Sequence, residues 1–297
     1  MAERIFDQDF FNKLNNLAIA MNARMSYGMS GGRKSSAKGS SVEFSDYREY
    51  IPGDDIRRID WSAYGRLDRL YIKQFMEEKE GVFQIFVDAS KSMTFGEPPK
   101  TRQALQLAGA LAYLVLNNLD RVYVSQMQEG TLQLGKGLAG RQAFQRIMDE
   151  LERMEFDGGT DLNRAIMARQ YPGSGVSIVI SDFLDENGIE PALKYLRYKK
   201  QQIILIQILA RQELAIEGEG VVNLLDMETG EEVRLTLNRS TVEQYEIALQ
   251  NMQNRLKELA KKYEASYIQM AADEPLDRFL FCLLYTSPSP RDRSLSR

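Results

Sequence analysis

The chain is most constrained by residues 82–94, where a mostly apolar run leads directly into an acid and two serines. Val82–Val87 is short and rich in β-branched and aromatic residues, which predicts a strand buried on both faces at the centre of a parallel sheet. Asp88, Ser90 and Ser92 follow as Asp-x-Ser-x-Ser. A carboxylate and two hydroxyls should therefore lie at the carboxyl end of this strand, where open α/β sheets bind their ligands.

These oxygen atoms indicate a site for a hard cation. Carboxylate and hydroxyl oxygens suit Mg²⁺ or Mn²⁺ better than zinc or copper. Three side chains do not complete an octahedron, so further ligands are expected downstream. Thr160 follows a Gly-Gly turn, and Asp182 follows a second apolar strand, Val176–Ser181. Asp-x-Ser-x-Ser alone would more often cap a helix, but the two additional matches at separate positions favour a metal site.

This order of motifs resembles the metal-ion-dependent adhesion site of von Willebrand factor A (vWA) domains. In that family Asp-x-Ser-x-Ser is followed by a distant threonine and a distant aspartate. The resemblance implies that Mg²⁺ (or Mn²⁺) is held partly through water, with one coordination position open to an acidic residue of a protein partner. The implied ligands are Asp88, Ser90, Ser92, Thr160 and Asp182.

A second unusual stretch is the Pro-Gly-Asp-Asp block within residues 42–61. Alternating patterns predict strands at Val42–Tyr50 and Leu70–Phe75, and Pro52-Gly53 predicts a turn before a short capped helical turn. The charged residues either form a local charge lattice, with Trp61 anchored in the core, or contact a partner. The candidate residues are Arg48, Asp54, Asp55, Arg57, Asp60 and Trp61.

Taken with the metal loop, this block resembles the bacterial family called domain of unknown function 58. The likeness covers residues 31–281 and departs from the family at Ala63-Tyr64-Gly65-Arg66, where a small residue is frequent in place of Tyr64 or Gly65. It implies a vWA-like domain that works beside a MoxR-type AAA+ ATPase, usually as a chaperone or maturation pair. The chain is similar to the shorter branch of the family, which has no N-terminal membrane helices.

The rest of the chain alternates helical and strand patterns, which predicts an α/β fold with a doubly wound, mainly parallel sheet (vWA/Rossmann-like) and a small N-terminal helix-plus-strand subdomain. We expect residues 1–80 to hold that subdomain, including a basic Gly/Ser loop, and residues 81–281 to form the vWA-like domain. The predicted helices include Asp9–Met25, Arg141–Met154 and Thr241–Tyr263 with Thr241 as its cap, and residues 224–237 should form a hairpin.

Composition excludes several function classes. The chain has no histidine, which excludes Ser-His-Asp and Cys-His catalysis and histidine-ligated metals. A net charge of −4 gives no general support for nucleic-acid binding. No apolar run approaches the roughly 20 residues of a membrane span, and no signal peptide is visible, so a cytoplasmic protein is expected.

Residues 282–297 should be excluded from the fold. Residues 282–292 match the in-frame translation of a transposase adapter used in DNA sequencing, and the last five residues would continue that artefact. The only cysteine, Cys282, lies within this segment. A natural chain without cysteine would fit a reducing compartment.

Two functions other than a non-enzymatic, metal-dependent adaptor stay open. The pattern also resembles haloacid-dehalogenase-type magnesium-dependent phosphatases and phosphotransferases, which need an aspartyl nucleophile and usually a second aspartate two residues on. Position 90 is serine, and no clearly placed lysine follows, so the required groups are incomplete. The other alternative is a scaffold that binds no metal.

Overall fold

The computed structural model describes residues 5–16, 43–67, 69–76, 80–185, 187–216, 220–225, 227 and 232–276. The chain divides into two compact units, residues 24–80 and residues 1–23 together with 81–297. Residues 1–23 thus group with the later part of the chain, although we expected them in the N-terminal subdomain. The basic Gly/Ser loop and the adapter-like residues 282–297 lie outside the described residues.

The elements are numbered in chain order across both units. The strands are β1 (Glu43–Glu49), β2 (Tyr71–Met76), β3 (Val82–Asp88), β4 (Arg121–Gln128), β5 (Thr131–Leu134), β6 (Leu138–Ala139), β7 (Gly175–Ser181), β8 (Gln201–Leu209), β9 (Gly220–Leu225), β10 (Glu232–Leu237) and β11 (Ser266–Ala271). The α-helices are α1 (residues 8–16), α2 (Trp61–Leu67), α3 (Lys100–Asn117), α4 (Phe144–Glu152), α5 (Leu162–Ala168), α6 (Glu190–Tyr198), α7 (Arg211–Leu214) and α8 (Arg239–Lys262). Short 3₁₀ turns lie at Ile56–Arg58, Lys91–Thr94 and Arg141–Ala143.

The larger unit is built on one sheet with the strand order β11-β8-β7-β3-β4-β5. Strands β11, β8, β7, β3 and β4 are parallel, whereas β5 and the two-residue β6 run antiparallel to β4. We number the strands of this sheet other than β6 from one to six in chain order, starting at β3. Their order across the sheet is then three-two-one-four-five-six, which is the doubly wound order. The predicted α/β class and the mainly parallel sheet are confirmed.

Both faces of the central strands are buried, as the unbroken apolar run at Val82–Val87 predicted. Ile85 and Val87 point into one hydrophobic cluster together with the apolar side of α3. Phe86, between them in sequence, points into a second cluster with residues of α5, α6 and α8. This alternation places helices on the two sides of the sheet and explains why β3 has no polar face.

Helix α1 contributes to the first of these clusters, as its amphipathic pattern predicted. The aromatic ring of Phe10 is 1% exposed and the side chain of Leu14 is 2% exposed, and both pack in the cluster with Phe6. An ion pair of 2.9 Å between Arg102 Nη2 and Asp7 Oδ2 adds a polar contact to α3. The continuation of the predicted helix to Met25 lies outside the described residues.

The smaller unit pairs β1 with β2 in an antiparallel ribbon that has an irregularity between Phe44 and Asp46. The predicted turn is present: the N–H of Asp54 donates to the carbonyl of Ile51 at 3.0 Å, and Gly53 has a φ of 109°. Proline followed by a residue with positive φ is the requirement of a type II turn, and glycine meets it without strain.

Two predicted helix ends need correction. Helix α8 begins at Arg239, and its N-cap is Asn238, not the predicted Thr241. Asn238 Oδ1 takes the N–H of Thr241 at 2.9 Å. The predicted Arg141–Met154 helix opens as a 3₁₀ turn, and its α-helical part is Phe144–Glu152. The hairpin is present as the antiparallel pair β9–β10.

A helix that crosses a bilayer must be both long and apolar, and the helices within the described ranges do not meet both conditions. Every one of them is too short or too polar to cross a bilayer.

Candidate metal centre

The first and last of the predicted ligands lie on two strands that are neighbours in the sheet. Strands β3 and β7 run parallel with Val87 opposite Ile180, which places Asp88 beside Ser181 and Asp182 one residue beyond the end of β7 at the same edge. Between these strands the chain order of the sheet reverses direction. Doubly wound sheets bind ligands in the crevice at this switch point, beyond the carboxyl ends of the strands.

The five predicted ligands are joined in one hydrogen-bonded network. The hydroxyls of Ser90 and Ser92 are 3.0 Å apart, and Ser92 donates to Asp182 Oδ2 at 2.9 Å. Thr160 Oγ1 donates to Asp88 Oδ1 at 3.4 Å, and the N–H of Ser90 donates to the same oxygen at 3.0 Å. Side chains from three separate segments therefore converge on one point.

Backbone hydrogen bonds hold the threonine loop beside the serine loop. The N–H of Lys91 donates to the carbonyl of Gly158 at 3.0 Å, and the N–H of Asp157 donates to that of Ala89 at 3.1 Å. Gly158 has a φ of 71°, a conformation that glycine adopts readily. The Gly-Gly turn therefore places Thr160 through the backbone.

The turn after β7 fixes the second aspartate. Phe183 has a φ of 56°, which is uncommon for a bulky side chain. Its N–H donates to Ser181 Oγ at 2.9 Å, and the N–H of Leu184 donates to Asp182 Oδ1 at 3.1 Å. These bonds hold the Asp182 carboxylate towards the first loop.

The two carboxylates are buried and repel each other. Asp88 and Asp182 are each 1% exposed. Burial, followed by the charge of Asp182, raises the pKa of Asp88 to about 7. Hydrogen bonds oppose this shift, above all the one that the Ser181 hydroxyl donates to Asp88 Oδ2 at 2.5 Å. A buried pair of like charges is stabilised when a cation binds between them.

The donor set fits a small hard cation. Two carboxylates and three hydroxyls offer the oxygen ligands that Mg²⁺ and Mn²⁺ take, and no sulfur or imidazole is among them. Within the described ranges no three acidic, histidine or cysteine side chains gather into a metal cluster. The fit of the site therefore depends on its hydroxyl groups as much as on its acids.

A lysine that the sequence analysis did not find also reaches the centre. Lys100, at the start of α3, is fully buried, and its Nζ donates to Asp182 Oδ2 at 2.7 Å and to Glu213 Oε1 at 2.5 Å. Burial raises the pKa of Glu213, and the charge of Lys100 opposes this effect. The sequence pattern showed no clearly placed lysine, and the fold brings one in from outside the motifs.

In the smaller unit, acidic side chains mainly cap backbone groups. Arg48 Nη2 pairs with Asp54 Oδ1 at 2.8 Å and lowers the pKa of Asp54. Asp55 accepts the N–H of Arg57 at 3.0 Å and caps the 3₁₀ turn. Asp60, which is buried, accepts from the Tyr47 hydroxyl at 2.8 Å, from the N–H of residue 62 at 2.9 Å and from that of residue 63. The block is thus stabilised largely by side-chain to backbone bonds.

The predicted role of Trp61 as a core anchor is wrong. Its side chain is 65% exposed, and its ring contacts Tyr64 edge-on at 6.4 Å. Trp61 opens α2, directly after the capping residue Asp60, and the buried positions near it are filled by Ile59 and Ala63. The helical period therefore turns Trp61 outward.

Comparison of the chain with models of protein families gives one match. A model described as "Protein of unknown function DUF58" matches residues 46–255, well over half of the chain. The chain belongs to the DUF58 family. Among similar proteins are two uncharacterized proteins, Rv1480 of Mycobacterium tuberculosis and Mb1516 of Mycobacterium bovis. Each is 25% identical over 224 residues, which cover 73% of this DUF58 chain and 70% of the relative.

Solved structures similar to this DUF58 protein include the conserved hypothetical protein BatB from Bacteroides thetaiotaomicron. It has a TM-score of 0.43 and 16% identity, over 70% of this chain and all of BatB. The VWA domain of SpRpn10 has a TM-score of 0.38 and 12% identity, over 71% of this chain and 96% of that domain.

Three residues of this DUF58 centre were missed from the sequence. Ser181 precedes Asp182 and was visible as a hydroxyl at a strand end, so its place could have been inferred. Lys100 lies 82 residues before Asp182, and Glu213 lies 113 residues after Lys100. Neither Lys100 nor Glu213 belongs to a motif. No local signal points to them.

Proposed function

We propose that this DUF58 protein is a non-enzymatic, metal-dependent protein-binding module. The observation that carries the proposal is the convergence of oxygen ligands from three segments at the switch point of the sheet. When bound, Mg²⁺ (or Mn²⁺) would supply a positive charge able to attract a carboxylate of a protein partner. The residues that would hold it are Asp88, Ser90, Ser92, Thr160 and Asp182.

The exposure of the ligands supports binding from one side. Asp88, Ser90 and Asp182 are buried, whereas Ser92 and Thr160 are partly exposed. The two partly exposed hydroxyls therefore mark the rim through which an acidic side chain would approach. Charges at such a partly desolvated site interact more strongly than an exposed ion pair does. One aspartate or glutamate of the partner can therefore dominate its contact with this protein.

We infer a MoxR-type AAA+ ATPase as the working partner and the cytoplasm as the place of action. The support for this partner is the joint presence of the Pro-Gly-Asp-Asp block and the metal loop, the combination that resembles DUF58 chains associated with such ATPases. In that role the protein would act as an adaptor or co-chaperone.

The proposal is tested by affinity purification of the natural gene product with Mg²⁺ and with EDTA. We expect the ATPase to be retained with Mg²⁺ and lost in EDTA, and lost also with Asp88→Ala. Asp149→Ala is the matched control, because this acid is exposed on α4, where it accepts a hydrogen bond from Gln145. Retention that is unchanged in EDTA would contradict the proposal and favour a metal-free scaffold.

A phosphatase or phosphotransferase is a second candidate, favoured by the position of Lys100. Its ammonium lies 2.7 Å from Asp182 and supplies the lysine that such an enzyme needs. Against it, Asp88 is enclosed by Ser181 and by the N–H of Ser90, which leaves its carboxylate poorly placed for attack. Hydrolysis of a generic phosphomonoester, lost with Asp88→Asn, would establish this function instead.

A further inference from the structure

Lys100 is a cation built into the centre. Its side chain is 0% exposed, and its ammonium bridges Asp182 Oδ2 and Glu213 Oε1. Asp182 Oδ2 also accepts the hydroxyl of Ser92. Asp182 Oδ2 is therefore shared between Ser92, a predicted metal ligand, and the ammonium of Lys100.

Glu213 is held firmly at the other end of this bridge. Its Oε2 accepts the N–H of Ala210 at 2.7 Å, and its backbone carbonyl accepts the hydroxyl of Tyr245 at 2.8 Å. Its side chain is 13% exposed. Because both carboxylate oxygens are engaged, Glu213 stays beside Lys100 and balances its charge locally.

The two charges act on a cation site in opposite directions. The ammonium of Lys100 repels a second cation at Asp182, whereas the carboxylate of Glu213 attracts it. Lys100 is buried and Glu213 is largely shielded from water, so salt screens both charges only weakly and each effect is large by itself. Present together, the two charges therefore oppose each other.

We propose that Lys100 and Glu213 are positioning residues that set the cation affinity of the centre, Lys100 lowering it and Glu213 raising it. This inference rests on the proposed metal-dependent function. Lys100 keeps the cation affinity below the value that the carboxylates of Asp88, Asp182 and Glu213 would produce without it. Its bond to Asp182 Oδ2 also holds that carboxylate in place.

The test is calorimetric titration of Mg²⁺ into the full chain and three variants. We expect Lys100→Met to bind Mg²⁺ at least about tenfold more tightly and Glu213→Gln at least about tenfold more weakly. The double variant K100M/E213Q should return to within about threefold of the unaltered protein, because the charge balance is restored. Lys262→Met is the control, since Lys262 pairs with Glu190 at 2.6 Å in an exposed position.

Thermal melting with and without Mg²⁺ supplies a second readout. Lys100→Met leaves two buried acids without their cation, so it should melt lower in EDTA and gain more from Mg²⁺ than the unaltered protein does. If Lys100→Met does not fold, the Mg²⁺ affinities of the other two variants still test the inference. Glu213→Gln should bind Mg²⁺ more weakly than the unaltered protein, and K100M/E213Q should recover the affinity.

A purely structural role for the pair would give a different pattern. Single variants that both weaken Mg²⁺ binding, or both leave it unchanged, would overturn the inference while the proposed function stands. An unaltered protein that binds no Mg²⁺ would overturn both.

Discussion

At alkaline pH and without metal, the Asp88→Asn variant should be more stable than the unaltered protein. This is expected although the substitution removes a charged group from the hydrogen-bonded network of the centre. Burial and the charge of Asp182 raise the pKa of Asp88 from 3.8 to about 7. A carboxyl whose pKa is raised by folding contributes most to stability below its unfolded pKa of 3.8. That contribution is lost as the pH rises to about 7.

The size of the effect follows from the shift. Each pH unit between the unfolded and folded pKa values lowers the free energy of unfolding by about 1.4 kcal/mol. The unaltered protein should therefore lose roughly 2 kcal/mol between about pH 5.5 and pH 8 from this group. At pH 8 the whole shift from 3.8 to about 7 costs the unaltered protein about 4 kcal/mol, a cost that asparagine avoids because it cannot ionise. Asparagine forfeits part of the hydrogen bonding from Ser181, so we expect a net gain of about 2 kcal/mol at pH 8.

Urea unfolding in EDTA at the two pH values measures this difference. Added Mg²⁺ should reverse the order at pH 8, because it stabilises only the chain that binds it. A free energy of unfolding that falls equally with pH in both proteins would refute the reasoning. So would an Asp88→Asn variant that is less stable than the unaltered protein at pH 8 in EDTA.

Three further variants test other parts of the structure. Phe10→Ala should lower the free energy of unfolding by about 3–5 kcal/mol in urea, because the ring is 1% exposed in the main cluster. Asp60→Ala should destabilise the smaller unit by about 1–3 kcal/mol, measured by the fluorescence of Trp61, since Asp60 accepts from Tyr47 at 2.8 Å. Gly135→Ala should lower the melting temperature, as its Cβ would meet the Val124 carbonyl at 1.8 Å, whereas Gly173→Ala, with open space around it, should not.

The sequence predicted that the five candidate side chains would come together, because two of them lie at strand ends. An apolar run fixes the strand, and the residue after it must lie at the carboxyl edge of a parallel sheet. The apolar runs thus indicated the edge at which Asp88 and Asp182 lie, and the order of motifs indicated that they belong together. Once two such strands were recognised, their acids had to be close if the strands were neighbours, as β3 and β7 are.

Contacts between distant segments could not be predicted in the same way. Lys100 begins an amphipathic helix, where a lysine ordinarily faces water, and only the folded chain shows that it turns inward to Asp182. The exposure of Trp61 was missed for a related reason. A large apolar side chain was assumed to be buried, but the helical register of α2 places Ala63 inward in its stead.

Manganese anomalous diffraction tests the central claim most directly. Crystals grown with Mn²⁺ should show one strong anomalous peak at the edge of the sheet, absent with Asp88→Ala. The peak should be bounded by Asp88, Ser90, Ser92, Thr160 and Asp182. A map without a peak there, or with its strongest peak elsewhere on the chain, would contradict the claim that these side chains form one cation site.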